Sequence, residues 1–166
     1  MDQWKKFTRL KTIIVGTVAC LNDKQQFLIV RRSKTDVIKP GFWEFPGGHV
    51  DDADGSIEDG AARELEEEAN LASDPTKLIY LGLTNEIKPA KDEPNLELQI
   101  RKHYFLALDW KNEAKIVPNP KSGILEHDDL RWVTKEEIES INNTEIPIYL
   151  VDKALKIQKD HSNVQN

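Results

Sequence analysis

Three glutamates on one flank of a predicted helix are the residues of this chain best suited to chemistry. Apolar residues recur at every fourth position of the segment, which predicts an amphipathic helix; they are Ile57, Ala61, Leu65 and Ala69. The glutamates Glu64, Glu67 and Glu68 are three to four residues apart or adjacent, so like charges share one flank. The helix dipole disfavours anions in the last turn by about 0.3–1 kcal/mol each. A divalent cation bound by these carboxylates would offset this cost, so the three glutamates are candidate metal ligands.

A short apolar strand that ends in Pro46-Gly47-Gly48 precedes this helix. Glycine lets bare backbone approach a ligand closely, so the Gly47 carbonyl is a candidate cation ligand. A solvated acidic face is the alternative interpretation of the glutamates. The succession of strand, glycine turn, acidic loop and carboxylate-rich helix is a much more specific pattern.

This succession resembles the signature of the Nudix hydrolases, the MutT-like pyrophosphohydrolases. The matching residues are Gly48, Arg63, Glu64, Leu65, Glu67, Glu68 and Leu71. The interval from Gly48 to Arg63 is one residue longer than the family pattern, and Asp54-Gly55 stands where the family has a loop glutamate. Asp54 is the best candidate for that carboxylate, with Asp52 and Glu58 as alternatives. Asn70 replaces a late glycine and suits the left-handed position that ends a helix.

The resemblance implies hydrolysis of a pyrophosphate bond in a nucleoside diphosphate linked to another moiety, by metal-activated water. Mg²⁺ is the expected cofactor and Mn²⁺ an alternative. The approach Trp-Glu-Phe-Pro-Gly-Gly is similar to that of MutT-like nucleoside triphosphate pyrophosphatases, so the substrate is expected to be a nucleoside triphosphate or a related nucleotide. A catalytically silent Nudix-like sensor of a nucleotide or metabolite is the alternative function, and an acidic protein-interaction module is a third.

The same resemblance implies the site residues. The metal ligands are Gly47, Glu64, Glu67, Glu68 and Glu126. The catalytic candidates are Arg63, Glu64 and Glu126: Glu64 is a ligand or orients or deprotonates the attacking water, and Arg63 pairs with Glu67 four residues on. Glu126 precedes the last predicted strand and is a further ligand or the general base, or a surface acid. The neighbouring His127 suits a base by type, but a lone loop histidine is expected to be exposed.

Arg31, Arg32, Trp43 and Gly48 are the candidate substrate-binding residues. Adjacent residues on a strand point to opposite faces, so at most one of the two arginines is expected to face the site. Trp43 is able to stack on a base, although burial in the core is the simpler role.

The whole chain limits the class of protein. Its 166 residues fit one globular domain, and its net charge of −6 argues against a surface that binds a nucleic-acid polymer. Cys20 is the only cysteine and is expected to be a buried apolar residue. No long apolar stretch indicates a signal peptide or a membrane span, so we expect no membrane partner and a cytoplasmic location. A homodimer is compatible with the sequence, which does not determine the oligomeric state.

The predicted elements position these residues within an α+β fold. Strands are predicted at 10–21, 26–32, 77–87, 96–108 and 130–133, besides the one at Trp43. A capping box at Thr134 predicts a helix to about Ile141, and Pro147 suits the first turn of a last helix. The resemblance implies a Nudix-like α/β/α sandwich with a mixed sheet, as a single domain over 8–158. The polar tail, 159–166, is predicted to be frayed.

Overall fold

The computed structural model describes residues 9–164, within which seven strands and three α-helices form. The strands are β1 (Arg9–Cys20), β2 (Phe27–Arg32), β3 (Trp43–Glu44), β4 (Gly47–His49), β5 (Ile79–Pro89), β6 (Leu96–Ala107) and β7 (His127–Val133). The helices are α1 (Ile57–Ala69), α2 (Lys135–Ser140) and α3 (Ile148–Val164). None of these helices is both long and apolar enough to cross a membrane.

The strands form two sheets. A four-stranded sheet has the order β4-β1-β6-β5, with β1 and β6 parallel and the other pairs antiparallel, as expected for a mixed sheet. A three-stranded antiparallel sheet has the order β3-β2-β7. The strand predicted at 26–32 therefore follows β1 in sequence but joins the other sheet, because β4 and β6 already occupy both edges of β1. The two strands meet at an isolated bridge between Leu21 and Phe27.

Side chains of β1 point alternately to the two faces of the sheet, and each face contributes to a different hydrophobic cluster. Val18 and Cys20 lie in the cluster that includes Leu65 of α1, whereas Ala19 lies in the cluster that includes Leu150 of α3. Successive side chains of a strand point to opposite faces, so one strand contributes to both clusters. The sheets lie between α1 and α3, and the expected α/β/α sandwich is confirmed.

Helix α1 has the predicted bounds, and its ends are capped by side-chain chemistry. The Oγ of Ser56 accepts a hydrogen bond from the Asp59 amide (3.0 Å). Asn70 ends the helix with φ of 62°, and its backbone N–H donates a hydrogen bond to the Glu66 carbonyl (3.0 Å). A Cβ on Gly16 would lie 2.9 Å from the Ala61 Cβ. The glycine thus allows α1 to lie directly on β1.

The C-terminal helices agree with their predicted starts. The Thr134 capping box opens α2, and α3 runs from Ile148 to Val164. The Nε2 of Gln158 donates to the Asn22 carbonyl (2.9 Å) and connects α3 to the β1–β2 connection. Residues 165 and 166 of the predicted tail lie outside the described residues.

Candidate active site

A cavity of about 540 Å³ is lined by residues of α1, of the glycine turn and of strands β1, β5 and β6. Its lining includes eight of the residues singled out in the sequence: Arg32, Gly47, Gly48, Arg63, Glu64, Glu67, Glu68 and Glu126. We call the four glutamates Glu64, Glu67, Glu68 and Glu126 the acid end of this cavity. Residues far apart in the chain therefore share one solvent-accessible space.

The two glycines of the turn lie in close contact with their neighbours. A Cβ on Gly48 would lie 2.6 Å from the Glu64 carboxylate, and a Cβ on Gly47 would lie 2.5 Å from the Gly16 carbonyl oxygen. Both glycines pair with β1, Gly48 opposite Gly16 and Gly47 opposite Thr17. Bare backbone at these positions lets the carboxylates of α1 reach the edge of the sheet.

Glu68 is the most buried acid of residues 9–164, since it is only 8% exposed. Its Oε2 accepts a hydrogen bond from the Gly47 amide (3.0 Å). Burial raises the pKa of Glu68 well above its ordinary value, and the nearby carboxylate of Glu44 adds to the shift. Burial also raises the pKa of Glu64, although Arg63 opposes that shift. These acids lack enough positive charge around them, which a bound cation would supply.

Arg63 organises the turn and α1. Its Nη1 donates to the Oε1 of Glu64 (2.8 Å) and to the Oε2 of Glu67 (3.2 Å), so the predicted pairing with Glu67 is present. Its Nε and Nη2 donate to the two carboxylate oxygens of Asp54, each at 2.9 Å. The Arg63 hydrogen bonds hold the pKa of Asp54 below its ordinary value. Asp54 is therefore the loop carboxylate that orients Arg63.

Glu126 joins the acid end from another part of the chain. The Nδ2 of Asn119 donates to the Oε1 of Glu126 (2.8 Å). The four glutamates, with Val117, Asn119 and His127, surround a small cavity of about 10 Å³. This is about the space that one water-sized species needs. The acid end thus borders a space of atomic size.

The oxygen atoms of this site are of the chemical type that divalent cations bind. Carboxylate and carbonyl oxygens are the ligands that Mg²⁺ and Mn²⁺ prefer. Within residues 9–164, no three acidic, histidine or cysteine side chains already converge as a preformed metal site. Glu64 and Glu67 instead lie on the guanidinium of Arg63. Binding would therefore require these two side chains to turn from Arg63 towards the ion.

The prediction that His127 is an exposed loop residue is wrong. Strand β7 begins at His127, three residues earlier than predicted, and pairs it with Arg32 of β2. The imidazole is only 3% exposed. Its Nε2 donates to the Oε1 of Glu44 (3.0 Å), and its Nδ1 lies 4.0 Å from the Oε1 of Glu68. His127 therefore lies behind the acid end, between two carboxylates.

The two neighbouring arginines point in opposite directions, as expected. The Nε of Arg31 donates to Asp128 (2.6 Å), and its guanidinium lies over the Trp43 ring, outside the cavity. Trp43 is buried in the core and also contacts Arg131 at 4.8 Å from the ring centroid. Arg32 faces the cavity. Of the predicted substrate-binding residues, the structure therefore places Arg32 and Gly48 at the cavity and Arg31 and Trp43 away from the acid end.

Three lysines that the sequence did not single out also line the cavity. Lys39 comes from loop 33–41, Lys88 from β5 and Lys102 from β6, and we call these three residues the lysine wall. Lys39 forms an ion pair with Glu145. Alternation along β6 would have put Ile100, Lys102 and Tyr104 on one face. It could not have shown that this face borders the glutamates.

Comparisons with known proteins agree with the fold and the motif. The family model of the NUDIX domain matches residues 10–153. The chain is 33% identical over 103 residues to the 8-oxo-dGTP diphosphatase of Proteus vulgaris, and the match covers 62% of this chain and 81% of that protein. It is 30% identical over 120 residues to an m7GpppN-mRNA hydrolase of Homo sapiens, covering 66% of this chain but 34% of that protein.

Solved structures share the fold at lower identity. A MutT protein from Methanosarcina mazei has a TM-score of 0.63 at 24% identity, with 90% of this chain and 95% of that chain covered. The NUDIX domain of Shewanella oneidensis NrtR, complexed with ADP ribose, has a TM-score of 0.65 at 18% identity, with 89% of each chain covered. The chain belongs to the Nudix family and is an enzyme of the Nudix pyrophosphohydrolase type.

Proposed function

We propose that this chain hydrolyses a pyrophosphate bond of a nucleoside triphosphate or a related nucleotide, with Mg²⁺ or Mn²⁺ bound at the acid end. One observation carries the proposal: a single cavity is lined both by the four glutamates of the acid end and by the three lysines of the lysine wall. A nucleotide has an anionic phosphate chain that suits both. The relative of 33% identity is a diphosphatase of a nucleoside triphosphate, which favours this substrate class.

The cation would be held by the acid end, together with the Gly47 carbonyl. When bound there, it would neutralise phosphate charge and lower the pKa of water. The Gly47 amide donates a hydrogen bond to the Oε2 of Glu68, and this bond orients the Glu68 carboxylate. The backbone of the turn and the helix thus supply a rigid frame for the ligands.

The proton of the attacking water needs an acceptor among the residues of this chain. Glu126 is our candidate, because it lies in the cavity and Asn119 orients only one of its oxygens. The water oxygen would form the new bond to phosphorus, the bridging oxygen would leave with the second phosphate, and the proton would pass to the Glu126 carboxylate. Glu64 is the alternative acceptor, although its Oε1 already accepts from Arg63.

The second half of the substrate would lie along the sheet. Val15 and Ile100 give this part of the cavity an apolar surface, and Lys102 stands beside them. Lys102 is half-buried and lies near Glu44, whose pKa it helps to lower. An ammonium group in this position is suited to an anionic group of the substrate.

The test is a cleavage assay on nucleoside triphosphates, ADP-ribose and NADH, each with Mg²⁺, Mn²⁺ or chelator. We expect metal-dependent release of a nucleoside monophosphate from at least one compound, and none with chelator. Reaction in ¹⁸O-water identifies the attacked phosphorus, since that product alone carries the label. Binding without cleavage of any compound would overturn the proposal and favour the sensor. The domain bounds 8–158, the cytoplasmic location and the homodimer remain predictions.

A further inference from the structure

Each of the three nitrogens of the Arg32 guanidinium donates a hydrogen bond within the protein. Its Nη2 donates to Asp36 (2.6 Å), its Nη1 to the Oε1 of Glu44 (3.1 Å) and its Nε to the Ile38 carbonyl (2.8 Å). The guanidinium thus has a partner on each of its three nitrogens. It is half-buried and lines the cavity, where a direct contact with substrate phosphate would otherwise be its natural role.

Two of these partners belong to loop 33–41, which forms a side of the cavity. Ile38 and Lys39 of this loop line the cavity. The Oδ1 of Asp36 also accepts a hydrogen bond from the Ile38 amide (2.9 Å), so one carboxylate connects the loop backbone to Arg32. The position of this side of the cavity therefore depends on the Arg32 guanidinium.

The third partner leads to the acid end. Glu44 accepts from Arg32 and from the Nε2 of His127 (3.0 Å) on the same oxygen. Burial alone would raise the pKa of Glu44, but the His127 hydrogen bond and the Arg32 charge outweigh it and hold the pKa below its ordinary value. His127 then lies against Glu68. The contacts run without a break from loop 33–41 to a proposed cation ligand.

We propose that Arg32 is a positioning residue that fixes loop 33–41 relative to the acid end, and that it does not bind the substrate itself. The expected effect on KM rests on the proposed function. The attachment of loop 33–41 to Arg32 does not, because it can be measured without substrate.

Asp36→Asn separates the positioning role from direct binding. Asparagine keeps an oxygen for the Ile38 amide but removes the charge that holds Arg32. If Arg32 positions the loop, KM should rise about tenfold, which corresponds to a loss of about 1.4 kcal/mol of binding free energy, while kcat changes much less. If Arg32 binds phosphate directly, the released guanidinium should leave KM unchanged or lower it. That second result would overturn the proposal.

Arg32→Lys and the double variant test whether the two residues act together. The double variant should raise KM no more than either single change does, because all three disrupt one attachment. Additive effects would contradict the proposal. Asp128→Asn is the matched control, since it releases Arg31 on the outer side of the same strand, and its KM should equal that of the parent protein.

Hydrogen exchange of the substrate-free protein supplies the independent measurement. The Ile38 and Gly41 amides should exchange faster in Asp36→Asn and Arg32→Lys than in the parent protein or Asp128→Asn. Unchanged exchange in both variants would also overturn the proposal. If the parent protein cleaves no nucleotide, the proposed function fails, but the exchange data still decide whether Arg32 holds the loop.

Discussion

At the acid end, three of the four glutamates come from a single helix, whereas each residue of the lysine wall comes from a different element. Glu64, Glu67 and Glu68 have their spacing set by the geometry of α1 and their positions fixed by Gly47 and Gly48. Lys39, Lys88 and Lys102 meet only through sheet pairing and the course of loop 33–41. We infer that the acid end carries the chemistry and that the lysine wall adjusts which substrate binds.

The largest expected effect is at the acid end. Glu67→Gln and Glu68→Gln should each lower kcat by about two to three orders of magnitude, since each removes a charge from a site that stabilises several kcal/mol of phosphate charge. Glu66→Gln, on the exposed side of the same helix, is the control and should retain parent rates. Full activity of both variants in a Mg²⁺ assay would contradict the assignment.

Gly48→Ala tests whether the close approach of the Gly48 backbone to Glu64 positions the acid end. The added Cβ would meet the Glu64 carboxylate at 2.6 Å, so Glu64 must move. We expect kcat to fall about a hundredfold, in line with a displacement of about 1 Å at a reacting group. Gly55→Ala provides the comparison, because its Cβ would meet only the Asp59 side chain. Equal kinetics for the two variants would show that the Gly48 contact has no catalytic role.

A smaller effect of a different kind is expected at the lysine wall. Lys102→Met should raise KM for an anionic nucleotide about tenfold, the loss expected for one charge-assisted contact, with little change in kcat. Lys156→Met, on the exposed surface of α3, should change neither constant. A fall in kcat with constant KM would place Lys102 in the chemistry and would remove the distinction between the two ends.

The smallest effect concerns stability and pH without metal. The folded protein binds the Glu68 proton more tightly than the unfolded chain, because the pKa of Glu68 is raised above the usual 4.5. The free energy of unfolding should therefore fall as pH rises from about that value towards the raised pKa. Urea unfolding in chelator at several pH values measures this fall.

Two variants make the pH experiment specific to the acid end. Glu68→Gln should reduce the dependence to the part that the raised pKa of Glu64 contributes, whereas Glu66→Gln should keep it. Mn²⁺ at about a hundred times its dissociation constant should stabilise the parent protein by about 2.7 kcal/mol. An identical slope in Glu68→Gln would mean that another group is responsible. Asp54 does not interfere, because its pKa is lowered and its contribution is lost only at more acidic pH.

Predictions from the sequence succeeded where the relevant forces are local. The bounds of α1, its Asn70 end and the capping box of α2 follow from neighbours within about one helical turn. They failed for His127, whose burial depends on pairing with β2 across the chain. The signal for His127 was present in part, since β7 continues the predicted strand towards its N-terminus.

The sequence alone determined that carboxylates would share one side of a helix behind a glycine turn, because helical spacing and the freedom of glycine are properties of short segments. Only the tertiary structure decided that Glu126, the lysine wall and Arg32 border the same cavity, and that Arg32 is already paired within the protein. These residues lie in segments far apart in the chain. Their proximity arises from sheet order and long-range packing, which no local pattern of residue types encodes.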